Sequence, residues 1–298
     1  MTGTPNSSSA STNTAIMLLA VSSVFWGSSF VSIKIGLEYV NAYDFAFLRL
    51  AVASTILVSL LAARGRLGIP ALKEKAIWIL GLLNGVAFAL QYVGLLMTTA
   101  GKAALLANLN VIMIALLSWK LFHERFGISK MIGVVLGVAG GVLITTGGSL
   151  SALLQGQVLG DLLVFCAGLV WAFFIVLNKW VVTRSEKDVT QLSAVVMLAT
   201  ALVLMPIAIA FGGLNTAGIP FVGWFWIAFT AIFCTIVPYG LWNLALRTVS
   251  ATLASAVVML EIVAAMTLSG IFLSESFGTA TIIGAALILV SILAVAQS

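Results

Sequence analysis

Trp26-Gly27-Ser28-Ser29-Phe30-Val31-Ser32-Ile33-Lys34 is answered later in the chain by Trp171-Ala172-Phe173-Phe174-Ile175-Val176-Leu177-Asn178-Lys179, with tryptophan and lysine both displaced by 145 (171 − 26 and 179 − 34). Further on, Glu124, Phe126, Gly127 and Gly133 recur as Glu275, Phe277, Gly278 and Gly284, each displaced by 151. Both copies sit in or beside apolar runs. An internal repeat of about half the chain, built from apolar spans, marks a secondary transporter whose site lies at the repeat interface.

The composition agrees. Of 298 residues 62% are hydrophobic and 8% charged, and mean hydropathy is +1.20; a soluble domain carries roughly 25% charge. Ten runs are each long enough to cross a hydrocarbon core about 30 Å thick: 15–37, 42–63, 76–97, 101–122, 128–147, 158–180, 190–211, 222–245, 250–272 and 277–296. Lipid offers backbone groups no partners, so these runs are expected to be helices, and the short alternating segments of a β-barrel are absent. The expected fold is an all-α polytopic membrane protein of ten transmembrane helices. Residues 1–14 read as a disordered tail. They lack the basic n-region of a secretory signal, since no Lys or Arg precedes Lys34. Cys166 and Cys234 fall inside spans and read as buried free thiols.

Basic residues set the expected orientation. Arg64, Arg66, Lys73 and Lys75 follow span 2; Lys120, Arg125 and Lys130 follow span 4; Lys179, Arg184 and Lys187 follow span 6; and Arg247 follows span 8. The alternate loops hold Lys102 alone, so the count is eleven against one and both termini are expected in the cytoplasm. The net charge of +5 thus reflects topology, with no nucleic-acid partner implied. Each half holds five spans, an odd number, so a tandem copy enters the membrane upside down. The charges follow: the basic 2–3 loop has an uncharged counterpart in 212–223, and Arg125 beside Glu124 is matched by Ser276 beside Glu275. The organisation expected is a tail, 1–14, a first five-helix repeat, 15–147, a periplasmic linker, 148–157, and a second, inverted repeat, 158–298, around a central cavity.

Trp26 to Phe30 with Lys34, then Phe47-Leu48-Arg49-Leu50 with Ala53, resemble the opening of an EamA-type repeat, and Glu124 to Gly127 followed by Gly133 resemble its close, repeated at Glu275 to Gly284. The chain is similar to the drug/metabolite transporter superfamily, and within it to bacterial amino-acid exporters of the YddG type. The resemblance implies ten helices as two inverted repeats, in a bacterial inner membrane. Many members of the family carry a proline in helices 4 and 9, where this chain has Val111 after Asn110 and Ile262 after Glu261.

Polar side chains within spans are costly in hydrocarbon and mark pathways or helix contacts. The substrate-cavity candidates are Trp26, Asn84, Gln91, Tyr92, Asn108, Asn110, Trp171, Tyr239, Trp242 and Asn243. Packing or interfacial anchoring is the alternative for the aromatics. Glu261 is the one charge read at mid-span and is a candidate for proton coupling, against a structural hydrogen-bonding role. Lys34, Arg49 and Lys179 are read as snorkelling to span ends. His123 reads as interfacial, with no metal partner. Gly133, Gly137 and Gly141 line one face of span 5 and are expected to pack within the protomer, giving a monomer or a weak homodimer.

No mid-membrane basic residue is read in the chain, which counts against phosphorylated substrates. Aromatic faces hold ammonium groups and apolar side chains. The expected substrates are zwitterionic metabolites, above all apolar or aromatic amino acids; proton antiport of lipophilic cations is the alternative. An intramembrane lipid-modifying enzyme is a remote third, since no nucleophile stands beside a base and no HExxH occurs. No cofactor is expected. The orientation is tested by cysteine labelling of intact cells: labels in 148–156 and 212–221 are expected to react from outside, and labels in 65–73 and 183–188 to stay protected. Reaction at 65–73 would refute both the orientation and the inversion.

Overall fold

The computed structural model describes residues 7–66, 74–122, 127–148, 157–184 and 189–296. His123, Glu124, Arg125, Phe126, Lys73, Lys187 and most of the 148–157 linker lie outside them. The described residues are helical, without strands. The elements are α1 (Ser7–Gly36), α2 (Ala42–Ala63), α3 (Lys75–Met97), α4 (Ala100–Ala107), α5 (Asn110–Phe122), α6 (Ile128–Thr146), α7 (Gln157–Arg184), α8 (Val189–Ile207), α9 (Phe221–Ala231), α10 (Val237–Leu246), α11 (Ala251–Val258), α12 (Leu260–Phe272) and α13 (Thr279–Ala296). A π-helical stretch, Ala208–Gly212, prolongs α8, and another, Ile232–Ile236, joins α9 to α10. Among the described residues, six helical stretches are long and apolar enough to cross a membrane unaided: 12–36, 42–63, 75–97, 158–184, 189–212 and 221–246.

Three boundaries depart from the sequence reading. Helix α1 begins at Ser7 instead of after the first fourteen residues; a helix already nucleated in the apolar span gains one hydrogen bond per residue added, so it runs back into the polar Ser/Thr stretch. Spans 4 and 9 are each two helices. The first breaks at Asn108 and Leu109, between α4 and α5; the second breaks at Met259, between α11 and α12. Met259 lies 151 residues after Asn108 (259 − 108), so the breaks are repeat-related. Neither needs proline. Broken helices at corresponding points of two halves are the usual setting of a transporter's binding site.

The packing has the exchange symmetry that a two-fold relation between halves requires. Helix α3 lies on α7 as α10 lies on α1, while α4 and α5 lie on α7 as α11 and α12 lie on α1. The self-paired contacts are α2 with α8 and α6 with α13. Helices α1 and α7 reach the broken helices because they present small residues. A Cβ on Gly27 would stand 2.6 Å from the Glu261 carbonyl oxygen, and one on Gly168 2.5 Å from that of Ala107. Ser23, the repeat mate of Gly168 (168 − 145), donates to the Val257 carbonyl at 3.4 Å.

The expected snorkelling is corrected at all three basic positions. Lys34 Nζ donates to the Leu95 and Thr98 carbonyls at 2.5 and 2.7 Å, closing the end of α3. Its repeat mate Lys179 donates to Leu246, and to Val249 at 2.8 Å, closing the end of α10. Helices leave their last carbonyls without intrahelical donors, and a lysine ammonium supplies them. Arg49 is 2% exposed and points inward.

The small-residue face of α6 meets the same chain: Gly141 abuts Leu109, and Ser291 of α13 donates to the Gly133 carbonyl at 2.5 Å. At the crossing of α6 and α13, a Cβ on Gly140 would lie 2.7 Å from the Gly284 carbonyl oxygen, and one on Gly284 2.8 Å from that of Gly140. Gly140→Ala or Gly284→Ala is therefore expected to cost about 1–3 kcal/mol through overpacking, read as a lower melting midpoint in detergent. Gly127→Ala, with no atom within 4 Å of the added carbon, is expected to be neutral.

Candidate functional site

A cavity of about 120 Å³ opens where the two helix breaks face each other across the repeats. Nine of the eleven residues singled out from the sequence line it: Trp26, Asn84, Gln91, Asn108, Asn110, Trp171, Tyr239, Trp242 and Glu261. Its walls on α3 and on the π stretch with α10 correspond in register. Asn84, Phe88 and Gln91 become, after 151 residues, Thr235, Tyr239 and Trp242, and all six line the cavity. Spacings of i, i+4 and i+7 put each triplet on one helix face.

The tryptophans are held by ring contacts and hydrogen bonds. Trp26 lies 5.4 Å from Trp242 at a tilt of 59°, and Trp171 lies 5.4 Å from Phe88, edge to face. Trp171 Nε1 donates to Asn84 Oδ1 at 3.0 Å, and Asn84 Nδ2 donates to Thr200 Oγ1 at 3.2 Å, which fixes both the amide and the indole. Asn108, at the first break, donates to the Ala104 carbonyl at 2.9 Å and lines the cavity together with Glu261, which lies beside the second break. Glu261 is buried, 9% exposed.

Two residues expected at the cavity stand behind it. Tyr92 is wholly buried; its ring meets Phe45 edge to face at 5.3 Å, and its hydroxyl accepts from Arg49 Nη1 at 3.4 Å. Asn243, its repeat mate, accepts from Asn178 Nδ2 at 2.8 Å and donates to Ser193 Oγ at 3.0 Å, joining α7, α8 and α10. Each lies one residue beyond a cavity-lining position, and a single helical step of about 100° turns it into the neighbouring helix.

Arg49 is the residue that the sequence reading misplaced, and it also displaces the view that Glu261 is alone at mid-span. It lines the cavity from α2, seven residues in from the helix start, about 10 Å along the axis. The π stretch holds it. Arg49 Nε donates to Thr235 Oγ1 at 2.6 Å, Nη2 donates to the Cys234 carbonyl at 2.7 Å, and the guanidinium stands 5.1 Å above the Phe88 ring. Four residues after Cys234 comes Pro238, which has no N–H to give its carbonyl. Arg49 supplies the missing donor. The signal for Arg49 was its place well inside an apolar run, and that for Phe88 its spacing to Asn84 and Gln91. Nothing local marked Cys234 or Thr235.

Arg49→Met, by stranding the Cys234 carbonyl, is expected to lower stability by about 1–3 kcal/mol. Adding Pro238→Ala restores a backbone donor and is expected to recover part of that loss in the Arg49→Met background. No recovery of the melting midpoint would refute this account of the pairing.

The EamA-like transporter family matches residues 13–146 and 158–297. An uncharacterized transporter of Archaeoglobus fulgidus is 29% identical over 238 residues, 79% of this chain and 81% of its own. The uncharacterized transporter YyaM of Bacillus subtilis is 27% identical over 289 residues, 94% and 92% of the two chains. The uncharacterized inner membrane transporter YedA of Escherichia coli is 26% identical over 242 residues, 78% and 74%. A solved crystal structure, 18% identical, superposes with a TM-score of 0.69 over 98% of each chain, a likeness of fold.

Proposed function

The chain belongs to the EamA-like transporter family, and on that premise we propose that this multi-pass membrane protein exports zwitterionic amino acids with apolar or aromatic side chains, by alternating access through the central cavity. One observation carries the reading: the Arg49 guanidinium and the Glu261 carboxyl group line a single cavity together with seven aromatic side chains. A guanidinium with two of its five N–H groups still uncommitted can take a carboxylate. A carboxylate beside tryptophan faces can take an ammonium. The rings of Trp26, Phe88, Trp171 and Phe174 suit an apolar side chain.

Arg49 also changes the reasoning on other substrates. The case against phosphorylated solutes no longer rests on a missing cation; it rests on there being one arginine, already donating to three protein groups. A lipophilic cation would meet Glu261 but would be repelled by Arg49. The orientation proposed is cytoplasmic termini in a bacterial inner membrane, from the distribution of basic residues. Glu261 is the candidate for any proton coupling.

The test is counterflow in proteoliposomes. Uptake of labelled neutral amino acids is expected, with little uptake of lipophilic ammonium dyes. Trp26→Ala and Trp171→Ala are expected to weaken binding by about 1 kcal/mol or more, and the partly exposed Trp224→Ala to leave flux near wild type. Equal losses in all three would assign the rings to folding alone. In the same assay an imposed pH gradient separates two outcomes. Flux that responds in wild type but not in Glu261→Gln supports coupling, and indifference in both leaves facilitated diffusion.

A further inference from the structure

Four buried side-chain oxygens among the described residues have no hydrogen-bond partner: Gln91 Oε1, Asp161 Oδ2, Asn178 Oδ1 and Tyr239 Oη. Two of them are carried by residues that line the cavity, Gln91 and Tyr239. Gln91 is 3% exposed and Tyr239 8% exposed. They contrast with their neighbours, since Asn84, Asn108, Thr235 and Arg49 all bond within the protein. A buried polar atom left without a partner is destabilising, and an apolar side chain of the same shape would avoid that.

The duplication supplies a second argument. Gln91 occupies the register of Trp242, and Tyr239 that of Phe88. At the layer of Phe88 and Tyr239 one wall is a hydrocarbon ring and the other a phenol; at that of Trp242 and Gln91 one is an indole and the other an amide. The Tyr239 ring lies 6.1 Å from Phe174, and Gln91 is one turn along α3 from Phe88. Each of the two residues thus has an aromatic residue near it in the cavity wall. If Arg49 takes the carboxylate and Glu261 the ammonium, what is left for these two atoms to meet is the substrate's side chain.

We infer that Gln91 and Tyr239 are specificity-determining residues that select amino acids whose side chain ends in an N–H or O–H donor over isosteres lacking it. The inference rests on the zwitterion reading of the cavity and narrows it. The unpartnered Gln91 oxygen accepts a hydrogen bond, and so does the phenol oxygen of Tyr239, which can also donate. Apolar walls alone discriminate weakly between such isosteres, whereas a site built to hydrogen-bond a substrate group rejects the analogue without it strongly.

The experiment compares matched pairs in proteoliposomes at equal, subsaturating concentration: threonine with valine, tyrosine with phenylalanine, and tryptophan with 1-methyltryptophan. In the wild type the donor-bearing member of at least one pair is expected to be transported about tenfold faster or more. In Gln91→Met and Tyr239→Phe the readout is the ratio within the pair, whatever the absolute flux, and it is expected to fall towards one in at least one variant. Ratios near one for all three pairs in the wild type overturn the inference, and so does a wild-type preference that survives unchanged in both variants. Neither outcome touches the zwitterion reading, which fails separately if no amino acid is carried while a lipophilic ammonium dye is.

Discussion

A backbone carbonyl or N–H set free inside an apolar slab must be answered by the protein itself, because lipid offers nothing. That constraint places most of the side chains that matter here. Lys34 and Lys179 answer the carbonyls at the ends of α3 and α10. Arg49 answers the Cys234 carbonyl stranded by Pro238. At the other polarity, Glu275 accepts from the Ala100 and Gly101 N–H groups at 2.8 and 3.1 Å, capping α4. The charged residues act chiefly as complements to broken or ended helices.

The cavity follows from those breaks. A continuous span would have carried Asn108 and Asn110 around the helix at regular intervals; the interruption at Asn108 and Leu109 lets both line one hollow with Glu261. Close approach makes this possible. Gly27 and Gly168 allow α1 and α7 to touch the backbone at the two breaks, where a side chain would collide. Small residues serve packing in membranes for this reason: between helices in lipid, contact area and hydrogen bonds replace the hydrophobic drive.

Duplication then gave one architecture two different walls. The paired positions Asn84 and Thr235, Phe88 and Tyr239, and Gln91 and Trp242 keep their geometry while their chemistry diverges. The 232–236 π stretch and Pro238 have no counterpart at 81–87 of α3, which is regular helix with Ala87 in the register of Pro238, and among the described residues it is on the second-half wall that an arginine from another helix docks. Pseudo-symmetry sets the shape of the hollow, and its departures from symmetry give the hollow a polarity.

Much of this was legible in the chain. Hydropathy is a sum over some twenty residues, so the spans could be read closely even where their ends could not. The repeat was legible because Trp26, Lys34, Glu124 and Gly133 recur in order, and the periodicity of α3 made Asn84 and Gln91 neighbours. What the sequence could not disclose were matters of partnership. Whether Lys34 reaches water or the end of α3 depends on where α3 lies, and Leu95 is 61 residues away. Arg49 reads as a costly cation near a span end until the carbonyl freed by Pro238, nearly two hundred residues later, is brought against it. The helix breaks carry no proline signal, because they are stabilised by what α1 and α7 bring to them. Covalent order determines which groups need partners in the membrane; only the tertiary fold decides which partner arrives, since the free energy of each pairing exists only once both are buried together.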